Sequence, residues 1–303
     1  MNVRFEAFGS ASAAGFESTE RRRDVPLSKH HIHAVDMPFR LTSTWLDRGC
    51  QLGTWSAAGR ILAWALFQPP WNNLDYAFAP SELGSSLEPE LFSWGAQQIE
   101  AYAVRTGAAV SGSVEIFEGA LGIERTVELL VAGGFEKLDW DTIRFAVRPD
   151  ATVRSLKTPG GYVIRPTSGG REESSYVRLV QAVFGSDWMT PGWRRRITAH
   201  PAYRRDLDFV ATDPSGALAG FCLCWHRGHV VQIEPIGVHP DHQGKGLGSA
   251  LERVAADGAH RVGARLLYVD HGGTNDGAME MSRKVGFREV GRILRYGTSG
   301  RPP

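Results

Sequence analysis

The sequence predicts an α/β protein of layered α+β type, built from two copies of one unit in which a mixed, mostly antiparallel sheet is flanked by helices. Three observations predict it. A length of 303 residues exceeds the usual size of one compact domain, so two domains of about 150 residues each are expected. Each half runs through the same order of elements: a hairpin, a third strand, a helix, a fourth strand and a second helix. Two local matches support duplication, "GRILAWALF" against "GALAGFCLC" and "ELLVAGGFEKL" against "EMSRKVGFREV", and Gly134-Phe135 and Gly286-Phe287 close equivalent helices.

In the first half, "GCQLGTWSAAGRILAWALFQPP" pairs two apolar runs around Ser56-Ala-Ala-Gly59, and "NLDYAFAP" is a further strand. The helix "LEPELFSWGAQQIEAYAVRTG" leads to the strand "AVSGSVEIF", then to "ERTVELLVAGGF" and "DTIRFAV". The Pro/Gly/Thr-bearing stretch "RPDATVRSLKTPGG" reads as the connection. It places the first domain at 1–150 and the second at 160–303.

The second half opens with the short strand "GYVIRP". A helix follows in "EESSYVRLVQAVFG", with helical spacing through Tyr176, Leu179, Val180 and Val183. In "TPGWRRRITAH" Pro191 stands just inside a helix start. "DLDFVATDPSGALAGFCLCWH" is a hairpin turning at Asp213-Pro-Ser-Gly216, and "VVQIEPIGV" is the third strand. A glycine loop, a helix and the buried strand "ARLLYVD" come next. The last helix runs from Asn275 to Val285, stops at Gly286 and gives way to "FREVGRILRYGT".

Composition narrows the function classes. With 34 Lys+Arg against 33 Asp+Glu there is no bulk field to gather nucleic acid or an anionic membrane surface, so partners are recognised locally. The opening "MNVRFEAFGS" lacks an apolar targeting core, and "ILAWALF" is far too short to span a bilayer. A cytoplasmic protein is the expectation. Three cysteines, Cys50, Cys222 and Cys224, make an odd count without a disulfide framework, which fits a reducing compartment. Cys222, Cys224 and His226 alternate on one strand, as a metal site requires, but no second ligand pair has suitable spacing. They read as packing, His30, His31 and His33 read as a solvated segment, and no metal is expected.

The stretch from His239 to Gly248, "HPDHQGKGLG", lies between a strand and a helix, where glycines let backbone amides close on a phosphate. The nucleotide-triphosphate loop requires a hydroxyl residue after its lysine, and here Lys245 is followed by Gly246. A dinucleotide or methyl-donor fold is the better rival, since Gly244, Gly246 and Gly248 precede a helix and Asp270 ends the next strand. Against it, five residues from His239 to Gln243 separate strand and glycines, and the upstream element is a hairpin.

Gln243-x-x-Gly246-x-Gly248, preceded by Val238-x-Pro240, resembles the Q/R-x-x-G-x-G/A signature of the GNAT-type N-acetyltransferases, and "NDGAMEMSRKVGF" resembles their later N-x-x-A-x-x-L-Y-x-x-x-G-F motif. The resemblance covers about residues 161 to 298 and weakens over the first half, an arrangement similar to two-copy members of the family. It implies acetyl-CoA as co-substrate. Physical chemistry agrees: Gly244, Gly246 and Gly248 permit close approach of an anion, and the first-turn amides from Leu247 through Ser249 have no intrahelical acceptors. With Gln243, the helix dipole and Lys245 they would hold the pyrophosphate. Pro235 removes a ladder donor, so a bulge is expected there, leaving backbone at Ile236, Gly237 and Val238 to pair with the pantetheine arm. Asn275 adds a polar contact by resemblance, besides capping its helix.

Acetyl transfer needs a neutral amine and a protonated or stabilised leaving thiolate. Glu234, a carboxylate in an apolar strand beside the presumed bulge, is the candidate base, and a salt bridge to Arg227 or Arg194 is its alternative. Where the family often places its acidic tyrosine this chain has Ser282, a much weaker acid. Tyr296, in the final strand, and Tyr268 are the substitute donors, with solvent as the alternative. Arg194, Arg195 and Arg196 cannot all share one helix face; the helix is expected to be largely solvated, and an inward arginine would imply an anionic acceptor, with Trp188, Met189 and Trp193 lining an apolar pocket. The first copy has "SELGSSLEPE" where the glycine loop should be, and Glu82, Glu88 and Glu90 would repel a pyrophosphate around its single Gly84. The expected activity is transfer of an acetyl group to a primary amine, of a small molecule or of a protein N-terminus. The alternative is a non-catalytic acyl-CoA-binding or regulatory module.

Overall fold

The computed structural model describes residues 2–7, 35–42, 49–58, 60–79, 86–107, 110–120, 122–149 and 158–300. His30, His31, His33, Glu82 and Gly84 lie outside them. In chain order the elements are β1 (Asn2–Ala7), α1 (Met37–Thr42), β2 (Gln51–Ala57), β3 (Arg60–Gln68), β4 (Asn73–Phe78), α2 (Leu87–Thr106), β5 (Val110–Phe117), α3 (Ile123–Ala132), β6 (Glu136–Lys137) and β7 (Thr142–Val147). They continue with β8 (Val163–Pro166), α4 (Glu173–Phe184), α5 (Pro191–Ala199), β9 (Asp208–Thr212), β10 (Leu218–Arg227), β11 (Val230–Val238), α6 (Leu247–Arg261), β12 (Leu266–Gly272), α7 (Asp276–Val285) and β13 (Arg288–Gly300).

The chain forms two compact units. The first comprises the described parts of Met1–Ala34, Thr44–Thr142 and Gly291–Pro303, the second Val35–Ser43 and Ile143–Val290. The sequence suggests a single cut between residues 150 and 160; the structure instead trades segments. Ile143 and Phe145 of β7 are buried in the core of the second unit, whereas Leu294 and Tyr296 of β13 pack in the core of the first. Each strand goes where its apolar face is covered.

In the first unit the sheet order is β1-β2-β3-β4-β5-β13, with β6 on β13. The strands β2, β3 and β4 run antiparallel and β5 lies parallel to β4. Trp55, Phe67, Leu74, Phe92, Ile99 and Phe135 fill its core. In the second unit the order is β7-β12-β11-β10-β9-β8, antiparallel from β8 to β11 and parallel between β11 and β12. Hairpin, third strand, helix, parallel strand and helix therefore recur, and the two matched pairs of stretches occupy equivalent elements, β3 with β10 and the end of α3 with the end of α7.

Helix α6 buries the face carrying Leu247, Leu251, Ala255 and Ala259 on this second sheet. Small alanines at the recurring buried positions of a 3.6-residue period let helix and sheet approach closely. Helix α1 joins the unit through Phe39, stacked on Trp193 with ring centroids 5.4 Å apart, and through Thr42, whose hydroxyl accepts from Trp193 Nε1 at 3.1 Å. Among the described residues no helix is long and apolar enough to cross a membrane.

Candidate active site

The site starts from a fault in the sheet. On β10 and β11, Cys224 faces Ile233 and Cys222 faces Ile236, so Glu234 and Pro235 together span the place of the single residue Leu223. This is a bulge, at the residue whose missing N–H cannot join a ladder. Trp225 Nε1 donates to the Glu234 carbonyl at 3.0 Å and steadies it. On its other edge β11 pairs with β12 only from Val230–Leu266 to Ile233–Val269. Beyond that point a cleft of about 660 Å³ is lined by Glu234 to Val238 on one side and Val269 to Gly272 on the other, with Val183 and Phe184 of α4 and Met281 of α7.

The glycine loop forms one wall of this cleft through Gln243, Gly244, Gly246, Leu247, Gly248 and Ser249. Gln243 Nε2 donates to the Val238 carbonyl at 3.1 Å and Lys245 Nζ to the Asp241 carbonyl at 2.9 Å, so both side chains tie the loop to itself. Gly244 and Gly246 have φ of +74° and +79°, the left-handed region that disfavours a side chain. A Cβ on either would meet nothing within 4 Å, which leaves the concavity open. Helix α6 begins without a side-chain cap, and the amides of Leu247, Gly248 and Ser249 find no acceptor among the described residues. Such donors with a helix dipole behind them suit an anion.

At two other glycines the missing Cβ makes room for a neighbouring side chain. A Cβ on Gly248 would lie 2.3 Å from Met281 Sδ, and one on Gly237 would lie 2.5 Å from Val183 Cγ1. Asn275 caps α7, its Oδ1 accepting from the Ala278 amide at 3.1 Å, and also borders the cleft.

Glu234 is half-buried at the bulge and lines the cleft. Tyr296 lies elsewhere: opposite Val114 and Lys137 in the first unit, it is buried in that unit's core. Tyr268 is fully buried, its hydroxyl donating to Asp36. Ser282 is fully buried too, with partners that sequence reasoning missed. Its hydroxyl donates to Glu252 Oε1 at 2.5 Å and lies 2.7 Å from His271 Nε2. Burial pushes the Glu252 carboxyl up to about 8, opposed by the Ser282 hydrogen bond. Burial also lowers the His271 imidazole to about 4. His271 borders the cleft, next to Asp270, which Arg144 grips through Nε at 2.8 Å and Nη2 at 2.7 Å. Both missed residues leave a trace: Glu252 precedes Ala256 and Ala259 by one and two helical turns, and His271 alternates with Leu267 and Val269.

The arginines resolve differently from the sequence expectation. Arg194 points inward, but it pairs with the buried Asp208 and stacks 3.7 Å over the Tyr176 ring, so its charge is spent inside the core. Arg195 is exposed and pairs with Glu173 at 2.7 Å. Met189 and Trp193 are fully buried, while Trp188 packs on Phe184 at 5.3 Å behind the cleft. Cys222 and Cys224 pack in the core with sulfurs 3.9 Å apart, and His226 Nε2 lies 2.9 Å from the Gly228 carbonyl. In the first unit, Glu88 and Glu90 occupy the first turn of α2; Glu88 pairs with Arg125 at 3.2 Å and Glu90 accepts from Trp55 Nε1 at 3.1 Å.

With this geometry in view, residues 175–287 match the model of the acetyltransferase (GNAT) family. Residues 175–287 are thus similar to a GNAT acetyltransferase domain. That match contains the bulged strand, the glycine loop, Glu252, His271 and Ser282. Over 87 residues the chain is 39% identical to the streptothricin acetyltransferase of Streptomyces lavendulae, covering 27% of this chain and 45% of that protein. Over 163 residues it is 30% identical to the mycothiol acetyltransferase of Kineococcus radiotolerans, covering 51% and 52%. The chain thus spans about half the length of these relatives. The fold of the whole chain is similar to that of a tandem GNAT protein from the clavulanic acid biosynthesis pathway, with a TM-score of 0.68 over 100% of both chains at 14% identity. The stretch that matches the family model therefore sits in the second of two units of like architecture.

Proposed function

We propose that the second unit transfers an acetyl group from acetyl-CoA to a primary amine, a small-molecule amine first and a protein N-terminus second. The observation that carries this reading is the cleft itself: the bulged end of β11 parts from β12 directly beside the open amides of Leu247 to Ser249. The amides and the α6 dipole suit the pyrophosphate, and Gln243 and Lys245 hold the loop in the shape that presents them. The strand edge at Ile236, Gly237 and Val238 suits the pantetheine amides by strand addition, with Asn275 bordering the same channel.

Glu234 then acts as base. The amine attacks the thioester carbonyl as the free base, its nitrogen gives a proton to the Glu234 carboxylate, and the carbon–sulfur bond breaks. Named activities of relatives favour a small acceptor, since streptothricin and mycothiol acetyltransferases are both similar to parts of the chain. The first unit is assigned no acetyl-CoA, because Glu88 and Glu90 stand in the helix turn where α6 keeps its amides open.

The test is thiol release from acetyl-CoA in the presence of a panel of amines, together with calorimetry. We expect one equivalent of acetyl-CoA per chain, turnover with at least one amine, and a loss of about 100-fold in kcat for Glu234→Gln with acetyl-CoA affinity unchanged. Tight binding without thiol release would make the chain an acyl-CoA-binding module instead.

A further inference from the structure

We propose that Glu252, Ser282 and His271 form a proton relay that ends on the leaving thiolate of coenzyme A, with His271 as the group that touches the sulfur. The proposal rests on the acetyl-transfer reading above and supplies what that reading lacks, an acid. Tyr296 is packed in the first unit and Tyr268 is committed to Asp36. Two imidazoles line the cleft, that of His271 on β12 and that of His242 at the glycine loop, whose Nδ1 is engaged with the Tyr162 hydroxyl at 2.7 Å.

The geometry connects three groups in a line. His271 Nε2 is 2.7 Å from Ser282 Oγ, and Ser282 Oγ is 2.5 Å from Glu252 Oε1. Direct contact between His271 and Glu252 is longer, 3.8 Å, so the hydroxyl is the bridge. A serine is a poor acid, yet it both gives and takes a proton, which is what a bridge requires. Glu252 is fully buried and its Oε2 has no hydrogen-bond partner among the described residues. A neutral carboxyl tolerates such an orphaned oxygen far better than a carboxylate does. The end remote from the cleft is therefore a stored proton, consistent with the upward shift of this carboxyl.

The step balances without any redox partner. As the carbon–sulfur bond breaks, the sulfur takes the proton from Nδ1 of His271, the ring nitrogen not engaged by Ser282. In the loaded state protonated Glu252 donates to Ser282 Oγ and the Ser282 hydroxyl is turned to His271, so Nε2 takes the Ser282 hydroxyl proton and Ser282 Oγ takes the Glu252 carboxyl proton. Sulfur ends as a thiol and Glu252 as a carboxylate, which accepts the Ser282 hydrogen bond. After the thiol leaves, the same chain runs backwards and Glu252 regains a proton from solvent through His271. The charged and titratable groups around the relay are Asp270 with Arg144 clamped on it, Glu234, His242 and Lys284, which line the same cleft, Arg283, which stacks on Phe145 beside the His271 ring, and the buried Cys222 near Glu252. Neutral His271 and protonated Glu252 coexist between about pH 4 and about pH 8, so the relay is loaded in that window and empties as pH rises through its upper end.

The test is the pH profile of kcat for the whole chain, with acetyl-CoA and an amine found by the panel. Wild type is expected to lose kcat as pH rises through about 8. Glu252→Gln keeps the shape and the hydrogen bond but not the proton, and is expected to lower kcat about 100-fold and abolish that alkaline decline, with acetyl-CoA affinity and melting temperature close to wild type. His271→Gln is expected to show the same loss. Ser282→Thr, which retains a hydroxyl, keeps the alkaline decline, and Ser282→Ala removes it, so the outcome does not hang on one variant folding. Glu252→Gln with kcat within about threefold of wild type and its alkaline limb intact overturns the relay alone. A wild-type chain that binds acetyl-CoA but releases no thiol to any amine overturns the acetyl-transfer reading and the relay together.

Discussion

The Cα of Gly248 faces the thioether of Met281 so closely that a Cβ would sit 2.3 Å from Sδ. Helices α6 and α7 thus meet at a glycine and a methionine, beside the cleft that both residues line. Gly248→Ala is expected to drive the Met281 side chain aside, costing about 1–2 kcal/mol by overpacking. Because methionine is flexible, the displaced thioether has somewhere to go, and the cleft is the open side. Met281→Ala should remove the conflict. A double-mutant cycle read by denaturant unfolding is expected to show the Gly248→Ala cost vanish in the Met281→Ala background; a cost that is the same in both backgrounds would place the clash elsewhere.

Gly246 behaves differently. Its φ of +79° disfavours a side chain, but a Cβ there would touch nothing within 4 Å. Gly246→Ala should therefore cost only about 1 kcal/mol of backbone strain, with a small change in melting temperature. The methyl group would narrow the concavity in front of the α6 amides. Acetyl-CoA affinity measured by calorimetry is expected to fall by about tenfold or more, a far larger effect than on stability.

The contrast between these glycines shows what a sequence displays and what it withholds. The loop from Gly244 to Gly248 and the bulge at Pro235 were legible because both follow from local backbone chemistry: a positive φ and a missing N–H. The roles of Gly237 and Gly248 were not, since Val183 and Met281 reach them only in the folded unit. Helical spacing allowed one of three consecutive arginines to turn inward, but not that Arg194 would find Asp208 on a strand fourteen residues later. The Ser282 departure from the family motif was visible, while its partners Glu252 and His271 come from a different helix and strand. The exchange of β7 and β13 between units was hidden for a related reason: their apolar patterns suit either sheet, and long-range packing decides.

Arg194 gives a prediction about specificity as well as stability. Its side chain and that of Asp208 are almost wholly buried, and Asp208 also accepts from the Tyr203 hydroxyl at 2.7 Å. Removing the cation leaves a buried acid with one remaining donor, so Arg194→Ala is expected to destabilise the chain by about 3–5 kcal/mol. The arginine does not line the cleft. A less destabilising Arg194→Lys should therefore leave the ranking of amine acceptors unchanged, whether or not they carry a carboxylate. A change in that ranking, measured by thiol release across the panel, would return Arg194 to the acceptor site.

Glu172 offers a test in pH. Arg165 hydrogen-bonds its carboxylate, the Ser168 amide donates to it at 2.7 Å and Thr167 adds a third donor, and together they hold the carboxyl down at about 2 against an ordinary 4.5. A group whose folded value is depressed stabilises the fold fully above its unfolded value and loses that contribution as pH falls towards the folded one. The residue immediately precedes α4 and its partner Arg165 is 35% exposed, so solvent screening keeps the contribution at about 1 kcal/mol. Glu172→Gln should then be less stable than wild type by about that amount at neutral pH. The gap is expected to close as pH falls from about 4.5 to about 2. Urea unfolding of both proteins across that range measures it, and a gap that persists unchanged at the acid end would show that the side chain acts by shape and hydrogen bonding rather than by its charge.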